Sequence, residues 1–502
     1  AMADDMAADL AAYVDEGEEE AAKGPAKQQP EEEEPLVELE SGAGIPASVA
    51  NLSNTILGAG MLGMPYAVYT VGLGFGMVLI LLSGSCALFG LHLLACAAHS
   101  YQARRGEEIE RRLAARAERL ALPASDSHEA EAEGRQESGA EVAEARALLE
   151  AELPQDASYY AVAKITYPYL TVVIDLAIAV KCFGVATSYL IVVGDLMPDA
   201  AREMFGVDDE DSVLVQKRFW VVLSMLLLVP LSFLPTLRAL KFTSVLALGT
   251  VCYLVGMVVG YFFYYEGEMA VGEFEWWIWT SDLLAILPVF VFGYTCHQNL
   301  FPIYSELKRP SMGRINAVIA PAVGACFIIY QIVGVLGYLT FVDDVTDNII
   351  NDYSSDTVVT IGRVMVTLLV IFSYPLQVHP CRNSVDKVIA QCLTWAGRRA
   401  DAYARARYLS ITLCVLAFTL LVALFVNNLD VVFALVGATG STIIGYILPG
   451  LFFFRLTSAW SPKRALGCLL SLSGCILMVV CVSYIVYDGV EGLINEEPAG
   501  VA

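Results

Sequence analysis

Charge is scarce in this chain. Only 17% of its 502 residues are Asp, Glu, Lys or Arg, against 57% hydrophobic residues and a mean hydropathy of +0.59. A soluble domain carries about 25% charge, so the deficit excludes a large soluble protein and points to a bilayer. Basic residues are scarcer still, 30 against 54 acidic, for a formal net charge of -24. No nucleic-acid partner is expected of so acidic a chain. The order of charged, apolar and small residues that makes a cleavable signal is missing from the acidic first forty residues, so the N-terminus is expected to stay. Also missing are a nucleophile and base set and any cluster with metal-ligand spacing, which argues against an enzyme and against a metal site. Each of the twelve cysteines falls in an apolar stretch or in a connection placed in the cytosol below, so no disulfide framework is indicated.

What is abundant is apolar sequence in stretches of roughly 20 residues, the length that crosses about 30 Å of hydrocarbon. Eleven are predicted, and lipid requires each to be helical. They run from Ile45 to Thr70, Leu73 to Ala98, Tyr169 to Val193, Phe219 to Leu234, Phe242 to Tyr265 and Leu283 to Tyr304. The rest run from Ile315 to Phe341, Val358 to His379, Leu409 to Val426, Val431 to Phe453 and Leu466 to Val486. Lysine and arginine crowd into alternate connections, above all 101–157 and the stretch Arg382 to Arg407. Positive residues stay cytosolic, so the N-terminus is predicted in the cytosol and the C-terminus outside or in a lumen. The predicted organisation is an acidic disordered cytosolic tail (1–44), spans 1 and 2 (45–100), a polar cytosolic insert (101–157), spans 3 to 11 (158–487) and a short C-terminal tail (488–502). The tail holds fourteen carboxylates between Asp4 and Glu40 against Lys23 and Lys27. Such a run reads as solvated chain, although it or the insert could recruit a cytosolic partner.

Span 1, with Gly58, Gly60 and Gly63 in mid-membrane and Pro65 just beyond, is a poor continuous helix. Span 6 carries Gly293 followed by Tyr294, Thr295, Cys296, His297, Gln298 and Asn299, a polar cluster that must face protein or water at that depth. Breaks in the first and sixth spans are what a five-plus-five inverted repeat with one extra C-terminal helix would give. The bland reading is that the glycines only permit close packing. In the functional reading, free amides and a positive dipole end at one half-helix suit a carboxylate, and free carbonyls at another suit an ammonium, so the pair matches an amino-acid zwitterion. The candidate binding residues are Thr55, Gly58, Ala59 and Gly60 on span 1 and Thr295, His297 and Asn299 on span 6.

Span 3 carries Asp175 and Lys181, six residues apart and so pointing in different directions, and ionised groups there are costly unless paired or wetted. Lys181 is a candidate for proton exchange or for a fixed cation, with a structural lysine as the alternative. His297 is the histidine near a break, suited either to proton coupling or to hydrogen bonding the unwound backbone. Arg363, early in span 8, is explained by snorkelling to the interface. Ser373 in span 8 is a candidate cation ligand or an ordinary intramembrane serine, and VGATGST in span 10 is expected to pack closely on span 1 or 6.

NLSNTILGAGMLGMPYA in span 1, KCFGVATSYLIVVGDLMP in span 3, FGYTCHQNLFPIYSELK in span 6, SYPLQVHPCRNS in span 8 and VGATGSTIIGYILPGLFF in span 10 together resemble the amino acid/auxin permease family. Within it the chain looks most like vacuolar amino acid transporters and the related sodium-coupled neutral amino acid transporters. The resemblance implies an all-α fold of eleven transmembrane helices and amino-acid transport coupled to protons or sodium, with those ions as the sole cofactors. Sodium-coupled relatives use an asparagine at the span 1 break and a hydroxyl in span 8, which match Asn54 and Ser373. Lys181 and the TCHQN motif look more like the vacuolar branch, where proton coupling is the expectation. The outside loops lack the cysteine pair and sequon of many plasma-membrane relatives, which favours a vacuolar or other endomembrane. Leu36-Val37 after EEEE resembles an acidic sorting signal. A secondary transporter of amino acids working by alternating access is therefore expected, with a sodium symporter or an amino-acid sensor as the alternatives.

Overall fold

A computed structural model describes residues 43–120, 157–207, 209, 211–233, 243–264, 274–342, 344–399, 403–426 and 428–495. Among these, regular structure is helical, apart from one isolated bridge between Ala43 and Leu307. Span 1 is α1 (Ile45–Ile56), a 3-10 turn (Ala59–Met61) and α2 (Met64–Val71). There follow α3 (Leu73–Leu120), α4 (Tyr159–Thr166), α5 (Thr171–Phe205), α6 (Lys217–Ser232) and α7 (Thr243–Tyr264). Span 6 is α8 (Leu283–Gly293), a 3-10 turn (His297–Asn299) and α9 (Leu300–Glu306). Then come α10 (Met312–Phe341), the short α11 (Ile349–Asp352), α12 (Thr357–Trp395) and α13 (Ala404–Phe425). Span 10 is α14 (Leu429–Val436), two π-helical turns (Gly437–Ser441 and Ile443–Ile447) and α15 (Leu448–Leu456), and α16 (Pro462–Asn495) is last.

Nine of the described helical segments are long and apolar enough to cross a membrane. The predicted first and fourth spans are not among them, the first because it is broken and the fourth because α6 has 16 residues. Two predicted boundaries have no counterpart in the backbone. Helix α3 continues without interruption past residue 100 to Leu120, since the Arg/Glu/Ala-rich sequence after Ala98 keeps helix-forming residues in step. Likewise α16 runs to Asn495, past the expected end at 487. The tail with its sorting-like string and most of the insert lie outside the described residues.

The core is built on α5, which packs along α12 and touches α6, α13 and α14. Burial separates it from helices that it touches: 78% of the apolar window of α5 is inside the protein, against 50% for α12 and 33% for α13. A helix apolar on all sides belongs at the centre, and α5 keeps Asp175 and Lys181 buried there. Arg363 is a correction to the snorkelling expectation. It is 1% exposed, 3.7 Å from the Asp199 carboxylate, and donates to Ser355 Oγ at 2.8 Å and to the Tyr353 carbonyl at 3.4 Å. Long-range pairing with α5 holds it inside, so it ties the segment after α11 to α5.

Candidate transport site

Span 1 loses its helix after Ile56, where the Gly58 amide donates to the Ile56 carbonyl at 2.9 Å. The next turn closes through Met61 N to Gly58 O (3.2 Å) and Leu62 N to Ala59 O (3.0 Å), which leaves the amides of Ala59 and Gly60 with no hydrogen bond. Span 6 breaks after Gly293, and Thr295 N folds back on Phe292 O at 2.9 Å. The two breaks touch. A Cβ built on Gly60 would stand 3.2 Å from the Gly293 Cα, so the close approach requires glycine there. Asn299 Nδ2 donates to Thr55 Oγ1 at 2.8 Å, and Thr55 in turn donates to Asn51 O at 3.0 Å, joining α1 to span 6 by side chains.

Tyr330 of α10 completes the junction. Its hydroxyl stands 2.6 Å from the Ile56 carbonyl and 2.7 Å from the Gly293 carbonyl, the last helical acceptors before each break. Nothing in the apolar run around Tyr330 singled it out, because its role depends on two residues far away in sequence.

Lys181 reaches this junction from α5. It is 3% exposed, lines a small void with Gly58, Gly60, Gly293 and Thr295, and donates to Gln377 Oε1 of α12 at 3.4 Å. Span 10 makes room for it: a Cβ on Gly440 would lie 2.6 Å from the Lys181 Cβ. The VGATGST segment packs against α8 of span 6, as expected, and also against α5. Its π-helical backbone carries the glycines to both neighbours.

The void itself holds only about 20 Å³, room for about one water and none for an amino acid. A polar cavity of about 500 Å³ leads up to it from the side on which Ser158, Glu306 and Lys387 lie. Thr55, Tyr189 and Gln377 line both spaces and form the constriction between them. Asn54 and Ser373 lie on the cavity wall, on α1 and α12. Beyond the breaks the path is shut: Phe292 stacks on Phe433 with centroids 4.6 Å apart. Above them α11 is held by Ile349 N to Leu62 O at 3.2 Å, and Asp347 accepts from Leu429 N at 2.7 Å.

Of the predicted residues, Thr55, Gly58, Ala59, Gly60, Thr295 and Lys181 surround the void, while Asn54, Asn299 and Ser373 line the cavity. His297 is a correction. Its ring points away from both spaces, with Nε2 3.2 Å from the Ala87 carbonyl of α3 and Gly445 of span 10 against it. The 3-10 turn that turns Asn299 toward the cavity swings position 297 to the other face, and the ring bonds an intact helix, not the unwound backbone. Asp175 and Lys181 point in different directions, about 120° apart around α5, and line different spaces, Asp175 the cavity and Lys181 the void; Ile178, Val185 and Tyr189 lie between them on the side of α5 that follows the path. Gln377 and Tyr189 were both inside the family-like motifs, and an intramembrane glutamine between Pro375 and Pro380 was a usable signal.

The family model described as transmembrane amino acid transporter protein matches residues 41–112 and 143–490. The chain belongs to the transmembrane amino acid transporter family. This transporter is 37% identical over 456 residues to "Vacuolar amino acid transporter 5" of Schizosaccharomyces pombe, covering 88% of this chain and 94% of that one. It is 31% identical over 457 residues to "Vacuolar amino acid transporter 5" of Saccharomyces cerevisiae, covering 82% and 88%. Among solved structures, that of MhsT in complex with L-phenylalanine aligns at a TM-score of 0.49 and 13% identity, over 91% of this transporter and 100% of that chain. Membership places the chain among transporters and not enzymes, as the absence of a catalytic set in the sequence suggested.

Proposed function

We propose that this protein carries amino acids across a vacuolar or other endomembrane by alternating access, driven by protons. In this reading the conformation described here is closed at the breaks and open toward the cytosol, the side to which the lysine and arginine distribution assigns the insert. The observation that carries the proposal is the continuity of the polar cavity with both helix breaks through Thr55, Tyr189 and Gln377. The free amides of Ala59 and Gly60 suit a carboxylate, and the carbonyls at Ile56 and Gly293 suit an ammonium. The names of the relatives support the substrate class and the membrane.

Proton coupling rests on Lys181. An ammonium has three donors, and among the described residues one side-chain acceptor, Gln377 Oε1 at 3.4 Å, serves it in a buried site beside both breaks, where holding a charge is costly. Asn54 and Ser373 supply the residue types of a sodium site on the same cavity, so the test must separate the two ions. Purified protein in proteoliposomes is given a panel of amino acids under a pH gradient and, separately, a sodium gradient. Uptake driven by the pH gradient alone is expected. Uptake that needs sodium would replace the coupling ion, and absence of uptake under both would overturn transport.

A further inference from the structure

The mouth of the cavity contains a carboxylate that the transport mechanism above does not use. Asp175 lies on α5, its side chain 5% exposed, and among the described residues its one ion-pair partner is the Lys387 ammonium at 3.9 Å, too distant for a hydrogen bond. A carboxylate has about four acceptor sites to satisfy, and on the cavity wall they face space that a ligand can enter. Lys387 is poorly placed to satisfy them. It is 50% exposed and stands 5.4 Å above the Tyr160 ring, a second resting place for its charge.

Asp175 and Lys181 are six residues apart on one helix, which puts about 9 Å between them along its axis. The path thus has a titratable lysine, cationic when protonated, at the breaks and a carboxylate nearer the mouth. Glu306 adds a second negative group to the cavity wall, against Lys387 as its one cationic side chain. A neutral amino acid leaves the outer charge unused. An amino acid with a long cationic side chain matches both ends, its carboxylate toward Lys181 and the breaks, its ammonium or guanidinium toward Asp175. The extended side chain of lysine or arginine, together with its hydrogen bond, covers a distance of this order.

We infer that Asp175 selects amino acids with cationic side chains, the substrate's charge displacing Lys387 from the carboxylate. The inference rests on the transport reading above and gives it a substrate class. The test is competitive uptake of L-arginine and a neutral amino acid, L-leucine, into proteoliposomes by the full-length protein and its variants. Wild type is expected to prefer arginine. One charge-assisted hydrogen bond is equivalent to about tenfold in affinity or more, so Asp175→Asn should lower the arginine-to-leucine ratio by about that factor, and Asp175→Glu should restore most of it. Lys387→Gln, at a half-exposed position, should lower the KM for arginine because the competitor is gone. A wild type that moves leucine but rejects arginine, an equal loss of both substrates in Asp175→Asn, or an arginine KM unchanged in Lys387→Gln overturns the inference while transport itself stands. No uptake of either substrate by wild type instead overturns the transport reading, and the inference with it.

Discussion

The Tyr330 hydroxyl lies 2.6 Å from the carbonyl of Ile56 and 2.7 Å from that of Gly293, so one phenol spans both helix breaks. It carries one proton, which serves one carbonyl at a time and binds the two breaks into one unit. Tyr330→Phe leaves both carbonyls without this donor in a buried site. A loss of about 1–3 kcal/mol is expected, read as a lower unfolding temperature of the purified protein together with a fall in turnover. An unaltered melting curve and turnover would mean that the breaks hold themselves.

Lys181→Ala removes the buried ammonium and its hydrogen bond to Gln377. Substrate exchange at equal pH on both sides should persist, while the stimulation of uptake by an imposed pH gradient should disappear. If uptake by Lys181→Ala keeps its pH dependence, the coupling role assigned to this side chain fails.

Gly440→Ala brings a methyl group to within 2.6 Å of the Lys181 Cβ and 2.8 Å of the Ala177 carbonyl. Overpacking of this kind typically costs about 1–3 kcal/mol, and here it would also displace the lysine. Gly256→Ala on α7 is the control, since a Cβ there has nothing within 4 Å. Thermal inactivation in detergent should be faster for the first variant and close to wild type for the second.

The cap formed by α11 is expected to respond to pH. Burial pushes the Asp352 carboxyl from the ordinary 3.8 up to about 6, against two hydrogen bonds from Thr346 that favour the charged form, and with the Asp347 and Asp344 carboxylates adding to the rise. A detached cap would return the group to its ordinary value, so the seated cap binds more protons between pH 4 and 6. Its contribution is present at the acid end of that window and is lost as pH rises through about 6. Amide exchange over residues 346–353, corrected for the intrinsic rate, should show more protection at pH 5 than at pH 7. Asp352→Asn should flatten the difference.

Much of this protein was legible before any coordinates. The spans were readable because a bilayer demands apolar residues locally, and the breaks because mid-membrane glycines and the YTCHQN cluster conflict with a continuous helix in lipid. The five motifs carried the family, which a match over most of the chain then established. What the sequence left open is the rotation of each helix about its axis and the identity of distant partners. Period alone could not say that His297 turns to Ala87 and away from the cavity, or that Arg363 is held inside by Asp199. Nor could it bring Tyr330 to both breaks or Lys181 to Gln377. Those relations come from packing between residues about forty to more than two hundred positions apart, where side-chain volume and the need to satisfy buried polar groups decide which face turns inward.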